Sequence, residues 1–332
     1  MNDLPNIQYL THQQIDTLKW DNCIAQAENG LIYGYSFYLD AMSKNWDALV
    51  LSKGLHSEND YDAVMPLTWN KKFGIKYLYQ PFFTAQLGVF GKRITEKIRD
   101  SFFEAIPSSF KYIDISLNSG NMLGIPPGFS IQRSNYTLDL RNSYENLYKG
   151  YNENTRRNIK KAQQAGCTTQ IEIDVEKLIK LAVQQMKSQG NEEGENIERF
   201  RKLYQYLHTR QMATTYGIFS AQNELLASCV FFFSHNRAYY ILVGNHPNGK
   251  TIGASHALID SFIKDHEGKD LPTSVSPELQ PGKAVEARML LDFEGSDIPS
   301  LATFYRSFGA EHDPYPALKI NRLPFYLKWM KK

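Results

Sequence analysis

The chain has 332 residues, of which 42% are hydrophobic, 13% aromatic and 22% charged. This composition is typical of a globular protein with a sizeable core, and it excludes the disordered and fibrous classes. The net charge of +2 gives no global attraction for nucleic acid or for a membrane surface, so any anionic partner requires a local basic patch.

Cysteine usage and the N-terminus indicate the compartment. Cys23, Cys167 and Cys229 are far apart and lack Cys-x-x-Cys spacing, which predicts a reducing compartment and no metal site. The N-terminal MNDLPNIQYL has no basic region followed by an apolar run, and no uncharged apolar stretch approaches the roughly 20 residues that span a bilayer. We therefore expect a cytoplasmic protein with no membrane insertion and no DNA partner.

The first half of the chain begins with a predicted strand, NIQYL, and two helical patterns at residues 11–29 and 35–43. Three strand-like runs follow, namely WDALVLS, YDAVMPLTW and GIKYLYQ. A helix at 93–105 and a strand, KYIDISL, complete this half.

The second half repeats this order. A helical stretch at 143–166, interrupted near Gly150, leads to a strand, CTTQIEID, and to helices at 175–188 and 197–208. Three strand-like runs, MATTYGIFS, ELLASCVFFFS and RAYYILVG, are separated by hairpin-sized breaks. A further helix, a strand in ARMLLDFEG and a short helix at 299–308 follow.

The repeated order predicts an α/β (α+β) protein with two tandem lobes, each a mixed, mostly antiparallel sheet flanked by helices. The repeat lies in the pattern of elements and not in residue identity. We expect an N-terminal lobe at 1–142, basic linking helices at 143–166 and a C-terminal lobe at 167–332.

The segment VGNHPNGKTIGASHALID follows the second three-strand series and is a candidate anion-binding loop. Asn248 and Gly249 tolerate positive backbone torsions and Gly253 permits close approach, so successive N–H groups can point at one pyrophosphate where a helix begins. The alternative is an ordinary strand-to-helix turn, because Asn-Gly occurs in many turns. We favour the anion site because of its position after the meander. Its predicted residues are Gly249, Lys250, Thr251, Ile252, Gly253 and Ala254.

Three motifs carry a resemblance to a known family. Lys250, Gly253 and Ser255 give a degenerate form of the Gln/Arg-x-x-Gly-x-Gly/Ala motif of the GNAT acyltransferase fold. The basic helix NENTRRNIKKAQQAG and the segment LLDFEGSDIPSLATFYRSFGAE are similar to segments of the FemAB/FemX family of double-GNAT transferases. The residues that carry the latter similarity are Asp292, Phe293, Gly295, Phe304, Phe308 and Gly309.

The resemblance implies an N-acyltransferase that binds its donor in the C-terminal lobe and an amine acceptor in a cleft between the lobes. Acetyl-CoA or another acyl-CoA is the first expected donor, because the nearly neutral chain shows no long basic surface for tRNA. The alternative donor is aminoacyl-tRNA, because family members transfer an amino acid from it to a peptidoglycan precursor in cell-wall synthesis. A GNAT-derived binding module without catalytic activity is a third possibility, supported by the degenerate motif.

The same resemblance implies which residues carry the chemistry. A backbone N–H of Leu242, Val243 or Gly244 would hold the acyl oxygen as it gains charge. Asp292 and Glu294 share a face of one strand, so either is a candidate general base, and the alternative for Asp292 is bracing of the next loop. Tyr305, on the short helix, is a candidate proton donor to a leaving thiolate. The alternative is that its side chain only packs in the core.

Acceptor-binding candidates lie in both halves. The linking helix is strongly basic, and like charges four residues apart repel, which makes an anionic partner attractive. The alternative, left open, is a solvated face or contact with acidic residues of the other lobe. The candidates on this helix are Arg156, Arg157 and Lys160. In the first lobe, QPFFTAQLGVFGKR lacks a phosphate nest, so we expect no donor there but an acceptor surface formed by Phe82, Phe83 and Gln86.

The sequence leaves the functions of two loops undecided. The acidic run QGNEEGENIER either receives a cationic amine or is a solvated loop. The connection at 267–289 is much longer than usual for such a unit, so it would cover or rebuild the donor cleft.

Overall fold

The computed structural model describes residues 6–52, 60–122, 130–188, 194–268, 290–295, 297–325 and 327. Most of the long connection at 267–289 and the first part of the acidic run therefore lie outside the described residues.

Fifteen strands and ten helices form the described part of the chain. The strands are β1 (Ile7–Leu10), β2 (Asn45–Ser52), β3 (Tyr61–Lys72), β4 (Ile75–Tyr79), β5 (Phe90–Gly91), β6 (Phe110–Ser116), β7 (Ser130–Arg133), β8 (Tyr136–Asp139), β9 (Thr168–Ile171), β10 (Ala213–Phe219), β11 (Leu225–Ser234), β12 (Arg237–Asn245), β13 (Leu290–Asp292), β14 (Glu311–His312) and β15 (Tyr315–Asn321). The helices are α1 (Thr17–Gln26), α2 (Ser36–Met42), α3 (Glu96–Glu104), α4 (Tyr144–Gly150), α5 (Glu153–Gln164), α6 (Val175–Ser188), α7 (Gly194–His208), α8 (Pro247–Ile252), α9 (Ala254–His266) and α10 (Pro299–Arg306).

The described residues divide into two compact units, and the division differs from the predicted one at both ends of the second unit. The first unit extends to Arg133 and resumes at Pro314, whereas the second extends from Ser134 to Asp313. The linking helices thus belong to the second unit. The last strand, β15, belongs to the first unit because it pairs with β6 and β7 there.

The first unit contains a sheet in the order β1-β2-β3-β4-β6-β15-β7, with β5 paired to β3. The pairing of β4 with β6 is parallel, and the other described pairings are antiparallel. Helix α3 covers one face and buries Phe102 completely against strand residues such as Met65 and Ile113. Full burial of a side chain of that size contributes about 1.5–3 kcal/mol relative to exposure.

The second unit contains a sheet in the order β14-β8-β13-β12-β11-β10-β9, in which only the β12–β13 pairing is parallel among the described strands. The predicted fold class is confirmed: both units are mixed, mostly antiparallel sheets flanked by helices.

Helix α9 forms the centre of the second core. Its apolar residues recur at helical spacing, and Leu258, Ile259, Phe262 and Ile263 are all buried. The ring of Phe262 stacks on Phe231 of β11 with centroids 3.7 Å apart. This packing fixes the start of α9 relative to β12, where the candidate site lies.

The cysteines form no disulfide: Cys23 and Cys229 are buried and Cys167 is partly buried. Within the described ranges, no helix combines the length and the apolar character needed to cross a membrane.

Candidate functional site

The two parallel strands of the second unit separate part of the way along β12. The pairing runs from Arg237 opposite Leu290 to Tyr239 opposite Asp292, and β13 ends there. Strand β12 continues to Asn245, and no strand of the described chain pairs with this edge beyond Tyr239. The sheet therefore opens along the second half of β12.

A β-bulge lies in β12 at the point where the sheet opens. Phe231 of β11 is opposite Tyr240, but the preceding residue, Val230, is opposite Leu242, so Ile241 is the extra residue. A bulge re-aims the side chains that follow it. Accordingly, Tyr240 lies in the core under α9, whereas a side chain at Gly244 would meet α6 on the other face.

The bulged strand presents a backbone N–H to the open edge. The N–H of His246 donates to the carbonyl of Leu226 at 2.9 Å, and N–H groups of a strand alternate in direction, so the N–H of Gly244 also faces β11. The N–H of Asn245 faces away from β11 and donates to a glutamine side chain of α6 at 2.8 Å. By the same alternation the N–H of Val243 faces away from β11.

Asp292, at the end of β13, is held by two contacts. Its carboxylate forms an ion pair with Arg237 and accepts a hydrogen bond from the N–H of Glu294 at 2.9 Å. The Asp292 side chain is 3% exposed and that of Arg237 is 15% exposed. This geometry supports the bracing role for Asp292, because its carboxylate is already occupied by a cation and a loop N–H.

Glu294 and Tyr305 both favour the protonated form. Burial raises the pKa of the Glu294 carboxyl well above its ordinary value. Burial, together with Cys229 and Glu294, raises the pKa of the Tyr305 phenol. The Tyr305 ring stacks on Phe293 at 4.7 Å, so the two protonated groups lie beside the end of β13. Two groups whose pKa is raised by burial, Glu294 and Tyr305, occupy this side of the opening.

The segment predicted as an anion loop contains a short helix, in which Asn248 and Gly249 do not use the positive torsions that they tolerate. Both residues lie in α8, which has Pro247 in its first turn and His246 as its N-cap. Between His246 and Ala254, the one residue with a positive φ is Gly253, at 82°, which joins α8 to α9. Pro fits the first helical turn because its missing N–H is unpaired there in any case, so this Pro-Asn-Gly begins a helix.

Helix α5 covers the short link between α8 and α9. A Cβ atom at Gly253 would lie 2.5 Å from the carbonyl oxygen of Asn158, and the Lys161 ammonium donates to the carbonyl of Thr251 at 2.6 Å. On the other side, the Thr155 hydroxyl donates to the hydroxyl of Ser307 at 2.7 Å, directly after α10. Helix α5 thus contacts the start of α9 and the end of α10.

The predicted donor residues therefore differ in accessibility. Lys250 and Thr251 are exposed and Ile252 is partly buried. Gly249, Gly253 and Ala254 are buried. A helix lies on either side of this link, and α5 packs against Gly253.

The basic residues of α5 do not act alike. The Arg156 guanidinium donates to the carbonyl of Lys149 at 2.8 Å and lies 5.7 Å from the centre of the Tyr148 ring. Arg157 and Lys160 are exposed to solvent. Arg156 therefore joins α5 to α4, whereas its two basic neighbours are the candidates for an anionic partner.

The predicted acceptor residues of the first lobe lie in the first unit. Phe82 is 36% exposed and its ring meets Phe83 edge-on at 4.4 Å. Gln86 is 3% exposed, and its side-chain oxygen accepts a hydrogen bond from the N–H of Ser119 at 3.1 Å. Phe82 thus provides exposed surface, while Gln86 holds the loop to the chain after β6.

Sequence reasoning missed Ile241 and Arg237. A bulge leaves no mark in residue type, since Ile241 fits an ordinary strand. Arg237 had a visible signal, because it is the only charged residue of a nine-residue strand and faces a second charged residue, Asp292, across the sheet. Among the described residues no cluster of histidine, cysteine and carboxylate side chains is arranged to hold a metal.

No family model matches the sequence, and no curated protein matches it. Among solved structures, FemX aligns with 98% of this chain over 100% of its own length, with a TM-score of 0.65 and 11% identity. A conserved protein of unknown function from Bacteroides thetaiotaomicron covers 91% of this chain over 92% of its own, with a TM-score of 0.51 and 11% identity.

A third structure is the C-terminal domain of a putative lysylphosphatidylglycerol synthetase from Agrobacterium fabrum. It aligns with 92% of this chain over 90% of its own, with a TM-score of 0.50 and 8% identity. At such identities the similarity shows the fold. The chain has the double-GNAT fold of FemX, as its motifs predicted.

Proposed function

We propose that this chain, which has the fold of FemX, is an acyltransferase that transfers an aminoacyl group from aminoacyl-tRNA to an amine acceptor. The observation that carries the proposal is the opened edge of β12, with a bulge at Ile241 and the N–H of Val243 turned away from β11. An unpaired N–H at a strand edge suits the oxygen of an acyl group that gains negative charge during transfer.

In the proposed reaction the neutral amine attacks the acyl carbon. A carbon–nitrogen bond forms, the ester bond to the ribose oxygen breaks, and the amine loses a proton while the leaving oxygen gains one. The N–H of Val243 donates to the carbonyl oxygen in the tetrahedral intermediate. One such donor typically accounts for about 10²–10³ in rate.

Tyr305 is the proposed proton donor to the leaving oxygen. Its raised pKa keeps the phenol protonated at neutral pH, and a ribose alkoxide is basic enough to take that proton. Glu294, whose pKa is raised by burial, is a second candidate acid beside it. Because Asp292 is paired with Arg237, the acceptor amine in this proposal arrives neutral or loses its proton to solvent or to the donor.

We favour aminoacyl-tRNA over acyl-CoA as the donor, which is the reverse of the order that the sequence favoured. A CoA pyrophosphate needs converging N–H groups at the start of α9, and there Gly253 is packed against Asn158 of α5. A tRNA donor needs no such nest, because its phosphates are bound by side chains along a surface. Acyl-CoA remains the alternative donor, and binding measurements distinguish the two.

The exposed cations Arg157 and Lys160 on α5 support tRNA as the partner. They lie on the helix that contacts both α9 and α10 beside the opened edge, so phosphates bound there would bring the acceptor end of a tRNA near β12. One structural neighbour is named as a putative lysylphosphatidylglycerol synthetase, which supports an aminoacyl group as the cargo.

The acceptor is proposed by class only. An amine of a peptidoglycan-precursor-like molecule agrees with the likeness to FemX. A role in cell-wall synthesis and a cytoplasmic location follow from that acceptor and from the use of tRNA, and both belong to the proposal.

Two binding measurements on the full chain separate the donors. We expect filter retention of bulk aminoacyl-tRNA that weakens steeply with salt, and about a tenfold loss in an Arg157→Ala/Lys160→Ala double variant. A Lys202→Ala variant is the matched control, because Lys202 is also an exposed helical lysine but lies on α7 and not on α5. Acetyl-CoA at about 100 times its dissociation constant would add about 2.7 kcal/mol of stability if it were the donor, and we expect no such shift.

A transfer assay tests the activity itself. Bulk tRNA charged with labelled amino acids is incubated with the protein and an amine panel of dipeptides and amino sugars, and label in a new amide is measured. Retention of tRNA without any amide product would favour a binding module. Stabilisation by acetyl-CoA without tRNA retention would overturn the proposed donor.

A further inference from the structure

A polar pocket in the first unit is separate from the residues proposed for transfer. It has a volume of about 490 Å³ and lies where β1 ends, β2 begins and the β3–β4 hairpin turns back. Its lining includes the aromatic side chains of Tyr9, Trp46 and Trp69. This volume falls in the range of small-molecule sites, about 300–1,000 Å³.

The floor of the pocket is held rigidly by Asp47. This residue is 6% exposed, and its carboxylate accepts from the Tyr9 hydroxyl at 2.6 Å and from the N–H of His12 at 3.1 Å. Both oxygens of Asp47 therefore have protein donors. Asp47 shapes the pocket but offers no oxygen to a ligand.

Asp40 differs from Asp47 in having one carboxylate oxygen that is available to a ligand. One oxygen receives the indole N–H of Trp46 at 2.7 Å and contacts the His12 ring at 2.9 Å. The other oxygen has no partner among the described residues, and the side chain is 47% exposed. The indole and imidazole thus orient a carboxylate that retains one free acceptor.

Two lysines bring the opposite charge to the same pocket. Lys44 is exposed, and Lys76 is partly buried with its ammonium 4.4 Å from the centre of the Trp69 ring. Neither forms an ion pair with any residue that the structure describes, although two aspartates line the same pocket. The lysines are therefore available to an anionic group.

The lining carries charges of both signs. An isolated cation would meet Lys44 and Lys76 as well as Asp40, and an isolated anion would meet Asp40 and Asp47 as well as the lysines. A ligand that carries both charges at opposite ends meets a partner for each. Tyr9, which is 38% exposed, and Trp69 add contact area for an apolar centre.

We propose that this pocket binds a small zwitterion of the amino-acid or short-peptide class, with its ammonium at Asp40 and its carboxylate at Lys44 and Lys76. The proposal is independent of the transfer reaction, because all of these residues belong to the first unit. It assigns a ligand site to the unit in which no donor site was expected.

The test uses leucylglycine as the probe and full-length protein, with binding measured by calorimetry or by ligand-observed NMR. N-acetyl-leucylglycine removes the ammonium and leucylglycinamide removes the carboxylate. We expect leucylglycine to bind and each blocked analogue to bind about tenfold more weakly, as for the loss of one charge-assisted hydrogen bond.

Protein variants assign each end of the ligand. Asp40→Asn keeps the oxygen that orients Trp46 and should weaken leucylglycine about tenfold while leaving the N-acetyl analogue unaffected. The Lys44→Ala/Lys76→Ala double variant should also bind leucylglycine about tenfold more weakly, while its binding of leucylglycinamide should not change. Lys111→Ala, an exposed lysine of β6 outside the pocket, is the matched control and should bind normally.

Four results would overturn the proposal. They are the absence of leucylglycine binding at about 10 mM, equal binding of the blocked analogues, unchanged binding in both variants, and preferential binding of a neutral sugar such as glucose. Because the analogues alter the ligand and not the protein, a variant that fails to fold leaves the test decisive.

Discussion

The two units contain the same parallel strand pair, and they differ in the chain segments beyond that pair. In the first unit β4 pairs with β6, after which Leu87 forms a parallel bridge with Leu117. The N–H of Leu87 donates to Ser116 at 2.8 Å, and the N–H of Asn118 donates back to Leu87 at 2.7 Å. In the second unit, β12 continues past the end of β13 with no such bridge in the described chain.

Asparagine side chains close the edge in the first unit. The amide groups of Asn29, Asn118 and Asn121 all donate to the carbonyl of Val89, at 2.8, 3.1 and 2.9 Å. The chain that would otherwise continue as one strand is thereby divided into β4 and β5, with residues 80–89 between them. The same strand pair thus has a closed edge in the first unit and an open edge in the described part of the second, and the proposed transfer uses the open edge.

The largest expected effect concerns the open edge itself. Val243→Pro removes the N–H that faces away from β11 and preserves the bonds to that strand, so transfer should fall about 10²–10³-fold. Val243→Ala keeps the N–H and should stay within about tenfold of the wild type, since it removes only side-chain packing. An equal loss in both variants, measured as initial transfer rates, would remove Val243 from the reaction.

The second largest expected effect compares one ion pair from each unit. Asp292→Ala leaves Arg237, whose side chain is 15% exposed, without its ion-pair partner and should lower the free energy of unfolding by about 3 kcal/mol or more. In the first unit the Arg99 side chain is 2% exposed, but Asp100 is 51% exposed and Arg99 also donates to the carbonyl of Asn121, so Asp100→Ala should cost less, about 1–2 kcal/mol. Urea denaturation measures both, and similar losses would contradict the brace at the open edge.

Two glycines with the same torsion test the packing of α5. Gly253 and Gly74 have φ values of 82° and 79°, but only Gly253 would bring a Cβ against another segment. Gly74→Ala should cost about 1–2 kcal/mol for the left-handed backbone alone. Gly253→Ala should cost about 3 kcal/mol or more because Asn158 must also move. Equal costs in thermal melts would mean that α5 does not cover this link.

The smallest effect is a pH dependence. Because the Glu294 pKa is raised above 4.5, the native carboxyl keeps its proton after the unfolded chain has lost it. Its contribution is therefore full below pH 4.5 and is lost as pH rises towards the folded pKa, by at most about 1.4 kcal/mol per pH unit.

Glu294→Gln should reduce this slope, while Glu311→Gln, at an exposed residue of β14, should keep the wild-type slope. The free energy of unfolding is measured from pH 4.5 upward for both variants and for the wild type. Burial also raises the pKa of Asp21, to about 6, and the pKa of Asp260 and Asp313, so part of the slope remains in Glu294→Gln. A slope in Glu294→Gln equal to that of the wild type would assign it wholly to those groups.

Local pattern predicted the elements well where periodicity and end signals agree. The helix expected at 175–188 is α6, and the helix expected at 299–308 is α10, which ends at Arg306. Pattern failed where distant packing decides. Pro-Asn-Gly permits either a turn or a helix start, and Gly249, packed on Leu226, lies in a helix. Strand β15 and the Leu87 bridge join residues far apart in sequence, which no local pattern reveals.

In the candidate site, too, local pattern predicted some features and distant packing decided others. The motif at Asp292 lies at the end of β13, and the roles assigned to the site residues stay predictions. The choice among Leu242, Val243 and Gly244 depended on the bulge at Ile241, a matter of register that residue types do not encode.

Hydrogen–deuterium exchange with and without bulk aminoacyl-tRNA tests most directly whether the donor binds at the open edge. We expect protection in peptides that cover α5 and the second half of β12, and no change in the loop at 80–93 of the first unit. Protection of that loop alone, or protection of β12 by acetyl-CoA and not by tRNA, would contradict the account.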